Sequence, residues 1–267
     1  MLGRMDTPNS VAADLVNAPL VNVVYCRTLP TEKELAAAVH DTFGGQLNPL
    51  KPGPSPELQV AQARDCTISF KLVDAAPDLS EVEPHPELND GSVNVASAAS
   101  YLLVTVFPDN AHLERGTKYR EDRLRQLNML SVATLAALKA PGALAALVPR
   151  AGVTISAPRF IQLAESGELA MTAAGVWVRP SEDADRWYAY SVGLIQAGHP
   201  EVQIRNAPGD PNDFYAVLRG LVSYVLDGNT VRAGDSLTIA EDRPAITVAE
   251  DSWVIDPQLP ALRLDVA

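Results

Sequence analysis

The chain has 267 residues, of which 47% are hydrophobic and 20% are charged, and its formal net charge is −12. This length and composition describe a folded protein with a full core and argue against disorder. The negative charge opposes binding to phosphate backbones, so we expect no nucleic-acid partner.

The acidic charge is concentrated in the C-terminal part of the chain. From residue 181 to residue 267 there are fourteen acidic and six basic residues, a balance of −8. Such a field favours association with a basic surface. Arginine outnumbers lysine sixteen to five, and alanine and proline are abundant, which is typical of a high-GC bacterial genome.

The N-terminal stretch has no continuous apolar segment, because Asp14 and Asn17 interrupt it. We expect residues 1–18 to form a flexible leader rather than a signal peptide. No apolar run in the sequence reaches the roughly 20 residues that span a bilayer. We therefore predict a cytoplasmic protein with no membrane partner.

The first predicted elements are a strand and a capped helix. The short β-branched stretch Leu20–Arg27 predicts a buried strand. The segment Thr31–Glu34 has the sequence of a capping box, which predicts a helix that ends at Gly44–Gly45. Apolar residues then predict two strands, Leu58–Ala63 and Cys66–Val73, the second with one solvated face.

The middle of the chain contains the longest predicted helix. The continuous apolar run Tyr101–Phe107 predicts a central strand buried on both faces. Leucines at helical spacing predict a helix over Arg115–Leu138, and we interpret its several arginines as a solvated face. The Pro141–Gly142 break ends this helix, Ala143–Val148 predicts a second turn, and Arg159–Glu165 predicts a short helix.

Turn and cap residues mark the predicted elements of the C-terminal part most clearly. Strands are predicted at Trp187–Leu194 and Glu201–Arg205, with a short turn at Ala197–Pro200 between them. Asp210–Pro211 begins an amphipathic helix that runs to Leu226. Three further strands are predicted at Ser236–Ala240, Ala245–Glu250 and Leu259–Val266.

These elements predict an α+β fold of two sub-domains, each a small mixed or antiparallel sheet with helices packed on one face. We place the N-terminal domain at residues 19–180 and the C-terminal domain at residues 181–267. The polar loop Ser181–Asp185 marks the predicted boundary.

The sequence carries no recognised catalytic signature. It has no phosphate loop, dinucleotide loop, nucleophile elbow or kinase signature. Three of the four histidines occur as His-x-Glu, but the distant Pro-Cys-x-x-Cys of a zinc deaminase is absent. We interpret His85, His112 and His199 as solvated turn residues, and Cys26 and Cys66 as buried reduced thiols. We therefore predict no metal and no cofactor.

Five residues of the C-terminal domain are candidates for a binding surface. They are Trp187, Tyr190, His199, Glu201 and Asp235. Aromatic side chains close together on one strand are typical of core packing or of a protein contact. An enzyme would instead require His199, Glu201 and Asp235 to converge in a cleft between the two halves.

Four segments of the C-terminal domain follow a recognisable pattern. They are Tyr190–Leu194, Ala197–Ile204, Leu221–Leu226 and Ala233–Thr238. With their Gly-Leu strand, Gly-x-Pro-Glu turn, helix ending in Tyr-Val-Leu and Gly-Asp turn, they resemble a bacterial family of unknown function. Ser191 and Ser236 depart from that pattern, which has threonine at both positions. The resemblance implies a soluble α+β domain and no known activity, so no catalytic residue carries over.

Our leading hypothesis is a non-catalytic bacterial binding protein, an immunity-type inhibitor or accessory factor that contacts a basic protein. An acidic inhibitor associates rapidly with a basic partner through electrostatic steering. The alternatives are an enzyme of unknown class and a structural subunit of a larger assembly.

Overall fold

The computed structural model describes residues 19–63, 66–79, 85, 91–108, 117–238 and 245–266. The predicted leader, residues 1–18, lies outside the described residues. The described chain forms two compact units, which divide between Gly175 and Val176. In these residues there are two open, mostly antiparallel sheets and four helices, so the predicted α+β fold of two sub-domains is confirmed.

The first unit contains a sheet whose strand order is β2-β3-β4-β5-β1-β6-β7 in the described residues. Its strands are β1 (Leu20–Cys26), β2 (Lys51–Pro52), β3 (Leu58–Gln62), β4 (Cys66–Val73), β5 (Ser100–Pro108), β6 (Ala143–Val148) and β7 (Val153–Ser156). Its helices are α1 (Glu32–Phe43), α2 (Thr117–Lys139) and α3 (Ala157–Glu165).

Several predicted features of this unit are confirmed. The Thr31 hydroxyl accepts the Glu34 N–H at 3.3 Å, and the Glu34 carboxylate accepts the Thr31 N–H at 2.8 Å, which completes the capping box at α1. Gly44 ends the helix with a φ of 57°, a conformation that favours glycine. Strand β5 lies inside the sheet, paired with β4 and β1.

The two cysteines are buried free thiols, as the sequence predicts. Burial raises the pKa of the Cys26 thiol to about 12, so it stays protonated at neutral pH. Among the helices in the described ranges, none is both long and apolar enough to cross a membrane.

The segment Ala143–Val148 is a strand, so its prediction as a turn is wrong. It pairs antiparallel with β1, where Val24 lies opposite Ala146 and Tyr25 lies opposite Ala145. Alanine is intrinsically unfavourable in strands, but pairing with the buried strand β1 outweighs this disadvantage. The strand conformation of this segment therefore depends on a partner strand more than a hundred residues away in the chain.

Helix α2 does not have the fully solvated arginine face that the sequence predicts. Arg123 is only 1% exposed, because it lies one helical turn before Leu127, which is also buried. Its Nη1 donates to Gln126 at 2.9 Å. Burial lowers the pKa of Arg123 as well as those of Arg120 and Arg150, and repulsion from Arg150 lowers the pKa of Arg123 further.

The second unit contains a sheet with strand order β11-β12-β13-β10-β9-β8 in its described residues. Its strands are β8 (Gly175–Pro180), β9 (Arg186–Val192), β10 (Glu201–Pro208), β11 (Ser236–Leu237), β12 (Ile246–Ser252) and β13 (Pro260–Asp265). Strand β10 pairs antiparallel with β9 and parallel with β13. The predicted boundary loop Ser181–Asp185 connects β8 to β9.

In the described part of this unit, the long helix α4 (Pro211–Leu226) packs against β9 and β10. The Asp210 carboxylate accepts the Asn212 N–H at 2.8 Å, and Pro211 is the first helical residue, as predicted. The buried face of α4 consists of Phe214, Leu218, Leu221, Val222, Val225 and Leu226.

Candidate functional site

A buried carboxylate lies at the start of β10. Glu201 is 1% exposed. Its Oε1 accepts the backbone N–H groups of Gly193 at 2.8 Å and Ile195 at 3.2 Å. Its Oε2 accepts the hydroxyl of Ser191 at 2.5 Å. Both oxygens are therefore engaged by the segment that joins β9 to β10.

This arrangement gives the long acceptor side chain at this position a structural role. A 3₁₀ helix, Leu194–Ala197, begins after Gly193, and the first N–H groups of a helix lack acceptors within it. Glu201 supplies the acceptor from the next strand. Ser191 also accepts the Val202 N–H at 2.9 Å, which ties β9 to β10 a second time.

The electrostatics of Glu201 follow from the same contacts. Burial raises the pKa of its carboxyl group, because a buried charge loses its hydration. The donors Ser191, Gly193 and Ile195 oppose this rise by stabilising the charged form. A carboxyl group so enclosed is part of the framework of the turn and offers no free oxygen to a substrate.

His199 is buried at 3% exposure, so its interpretation as a solvated turn residue is wrong. Its Nδ1 lies 2.7 Å from the Pro200 carbonyl oxygen, and its Nε2 accepts the Val231 N–H at 3.2 Å. Nε2 also lies 3.2 Å from the Val231 carbonyl oxygen, so each ring nitrogen faces a carbonyl, and the shorter contact, at Nδ1, favours the proton there. The ring therefore joins the turn before β10 to the loop after α4.

The other two histidines of the His-x-Glu pattern are His85 and His112. His85 is also buried, at 3% exposure, which overturns its interpretation as solvated. His112 lies outside the described residues. Among the described residues, no three His, Cys, Asp or Glu side chains are grouped in a way that could hold a metal ion.

The three remaining candidates occupy different places in the second unit. Asp235 accepts the Arg232 N–H at 2.8 Å and closes its own turn. Tyr190 is 9% exposed and lies opposite Gln203 in the sheet. Trp187 is partly exposed near the other end of β9. The structure therefore brings His199 and Glu201 into one turn, whereas Asp235 lies in the loop that begins at the His199 partner Val231 and bonds through its backbone to Val248.

Gln203 is a buried polar residue that sequence reasoning did not single out. It is 0% exposed. Its Nε2 donates to Asp251 at 3.0 Å and to the Ser252 carbonyl at 2.8 Å. Its Oε1 accepts the Val254 N–H at 2.8 Å. The available signal was the alternation Glu-Val-Gln-Ile in β10, which places Glu201 and Gln203 on the same face of the strand.

The contacts of Gln203 hold the loop between β12 and β13, residues 253–259, which we call the tip loop. The Trp253 N–H donates to the Leu259 carbonyl at 2.9 Å, and both side chains are buried. They pack against Val192, the last residue of β9, and against Ile195 in the turn that follows. The tip loop is thereby fixed on two sides although it lies at the surface.

The tip loop has two energetically unfavourable features. Ile255 is 54% exposed, the highest value among the large exposed hydrophobic side chains of the described residues. The Nε1–H of Trp253 is buried and has no acceptor in the described part of the chain. An unmet buried donor costs about 1–3 kcal/mol.

Asp251, near the end of β12, is a carboxylate close to the start of the tip loop in the chain. Asp251 pairs with Arg205 at 3.3 Å and lies 3.9 Å from Arg263. Burial alone would raise the pKa of Asp251, but hydrogen bonds from Ser252, Arg205 and Gln203 outweigh burial and lower it.

Comparison with known proteins identifies only the domain that contains this site. No curated protein and no solved structure shows significant similarity to the chain. The model of the family described as "Domain of unknown function (DUF4261)" matches residues 190–264, from β9 to β13. The predicted resemblance of these residues to a family of unknown function is thereby confirmed. The second unit contains a DUF4261 domain, which includes the Glu201 turn, Gln203 and the tip loop.

Proposed function

We propose that this chain is a non-catalytic binding protein that acts through protein–protein contact. The observation that carries the proposal is that the two candidate catalytic side chains, Glu201 and His199, already form hydrogen bonds within the protein. Both oxygens of Glu201 and both ring nitrogens of His199 are occupied by neighbouring groups, most of them backbone groups. A catalytic acid or base requires a free atom facing its substrate.

The charge of the molecule supports a basic protein partner. With a net charge of −12, the chain attracts cationic surfaces and repels nucleic acid and anionic membranes. Electrostatic attraction of this kind accelerates association and selects partners more than it adds affinity. The role that best fits these properties is an immunity-type inhibitor or accessory factor in the bacterial cytoplasm.

The test is recovery of the partner followed by reconstitution. The tagged full-length chain is expressed in the organism that encodes it, and co-purifying proteins are identified, produced separately and mixed with the purified chain. We expect a defined complex whose association rate constant falls by about tenfold between low and high salt, because screening weakens steering. For an immunity-type role, co-expression with a toxic partner should restore growth.

A control variant separates binding from catalysis. Glu201→Gln preserves the shape of the buried group and removes its charge, so it should fold and bind the partner as the wild type does. Recovery of the chain only as a free monomer, without any protective effect, would count against the proposal. So would a turnover activity that Glu201→Gln abolishes while the protein remains folded.

A further inference from the structure

Hydrogen bonds hold the tip loop both from within and from the strand beneath it. Its first residue, Trp253, is bonded to its last, Leu259, and Leu259 also donates to the Asp256 carbonyl at 2.9 Å. From beneath, the buried Gln203 accepts the N–H of Val254 at 2.8 Å. A loop that is already ordered loses little conformational entropy when a partner binds, so it favours recognition.

The surface that this rigid loop presents is apolar. Ile255 is 54% exposed, and the adjacent Val254 is partly exposed. Val192 and Ile195 are also partly exposed and pack against Trp253 and its buried neighbours. We call Val254, Ile255, Val192 and Ile195 the tip-loop surface. Val254, Val192 and Ile195 pack on the cluster that contains Trp253, and Ile255 follows Val254 in the chain with most of its side chain exposed. Ordered aliphatic side chains of this kind suit an apolar anchor residue.

The chain segment that forms the tip loop carries acidic residues, and two arginines of neighbouring strands, Arg205 and Arg263, lie beside Asp251. The stretch 250–260 contains three carboxylates, Glu250, Asp251 and Asp256, and no lysine or arginine. Asp251 is paired with arginines of the adjacent strands. Glu250 is exposed and Asp256 is partly exposed, so both can face a cation from outside the chain.

We propose that the tip-loop surface docks a short segment of a partner protein that carries an apolar side chain beside lysine or arginine. The inference rests on the proposed binding function and names the surface that performs it. The apolar side chain packs on Ile255 and Val254, and the cation lies near Glu250 and Asp256.

The same charges disfavour other occupants. Phosphates of a nucleic acid or of an anionic membrane are repelled by Glu250 and Asp256. A symmetric dimer through this surface would place the acidic stretch of one copy against the same stretch of the other. Like charges brought together across an interface are costly, so a second copy is a poor occupant.

The experiment uses a phage-displayed library of random peptides, selected on the full-length wild-type chain. We expect enriched peptides to contain an apolar residue next to lysine or arginine. Synthetic versions should bind the wild type and lose about tenfold in affinity on Ile255→Ser, the loss typical of removing a central contact. Glu250→Gln combined with Asp256→Asn should weaken binding and reduce its dependence on salt.

The matched control is Phe107→Ser, which removes another exposed large apolar side chain, 42% exposed, from β5 of the first unit. It should bind the peptides as the wild type does, and circular dichroism should show that all variants are folded. Enrichment of no such peptide, or equal binding to wild type and Ile255→Ser, overturns the tip-loop surface as the docking site. A partner that co-purifies with the chain and binds Ile255→Ser normally leaves the proposed function intact and rejects only this surface.

Discussion

The Glu201 turn and the tip loop belong to the same sheet and use polar groups in opposite ways. At the Glu201 turn, a buried carboxylate meets three donors, Ser191, Gly193 and Ile195, within 3.2 Å. At the tip loop, a buried indole N–H lacks an acceptor in the described residues, and Ile255 is largely exposed.

This difference separates residues that maintain the fold from residues that can recognise a partner. A polar group whose bonds are all made inside the chain gains nothing from a ligand. An exposed apolar side chain on a rigid loop gains free energy when it is covered. Glu201 has the side chain of a catalytic residue but the environment of a structural one, whereas Ile255 has an unremarkable side chain in an environment suited to binding.

The largest expected effect is that of Glu201→Ala. It would leave the Ser191 hydroxyl and the Gly193 and Ile195 N–H groups without their acceptor, at a cost of about 3–5 kcal/mol in the free energy of unfolding. Urea denaturation measures this. Glu201→Gln should cost much less, because its amide oxygen can accept the two N–H groups and its NH₂ can donate to Ser191. Equal losses in the two variants would show that the carboxylate, rather than the acceptor geometry, matters.

The second prediction concerns Gln203, which connects the two regions. Gln203→Leu would leave the Val254 N–H and the Ser252 carbonyl unpaired, at a cost of about 2–3 kcal/mol, and would speed hydrogen exchange at the Val254 amide. The matched control is Gln59→Leu. Gln59 is 4% exposed, and its Nε2 has no acceptor in the described chain, so its replacement should be neutral or stabilising. Slow exchange at Val254 in Gln203→Leu would show that the loop is ordered without this contact.

The third prediction is a pH dependence. Burial raises the pKa of Glu201 above its ordinary value of 4.5, so the folded state binds this proton more tightly than the unfolded state does. The resulting stabilisation is present below pH 4.5 and is lost as pH rises through the folded pKa. The unfolding free energy of the wild type minus that of Glu201→Gln should therefore fall as pH increases from about 4.5. Other carboxylates, such as Asp251, cancel in this difference, and a rise with pH would contradict the assignment.

The smallest expected effect tests whether α4 is an alternative recognition surface. Gly220 lies in the exposed middle of α4, and a Cβ added there meets nothing within 4 Å. Gly220→Ala should therefore raise the unfolding free energy by about 0.5–1 kcal/mol, because alanine loses less backbone entropy in a helix. Partner affinity should not change. Loss of binding in a stabilised Gly220→Ala variant would move the docking site from the tip loop to α4.

The elements predicted correctly from sequence are those with local signals. The capping box Thr31–Glu34 and the cap at Asp210–Pro211 consist of contacts between residues at most three positions apart. The hydrophobic face of α4 repeats every few residues, so it could be recognised without knowledge of its neighbours.

The candidate site was less predictable, because its contacts are distant in sequence. Gln203 bonds Val254 across 51 residues, and His199 bonds Val231 across 32. A histidine in a turn and a glutamine in a strand are ordinary until their partners are known. The predicted residues Glu201 and His199 lie in one turn, whereas Trp253, Ile255 and Gln203 had no local pattern to distinguish them.

By itself the sequence determined the α+β class, the main helix boundaries and the resemblance of segments within residues 190–238 to a family of unknown function, a family whose model matches residues 190–264. Only the tertiary structure decided which polar groups are buried, that Ala143–Val148 is a strand, and that Arg123 lies inside the first unit. The physical reason is that local hydrogen bonds and helical periodicity depend on residues that are close together in the sequence. Burial and strand pairing depend on segments brought together by the fold, and these decide whether a carboxylate such as Glu201 supports the framework or faces a partner.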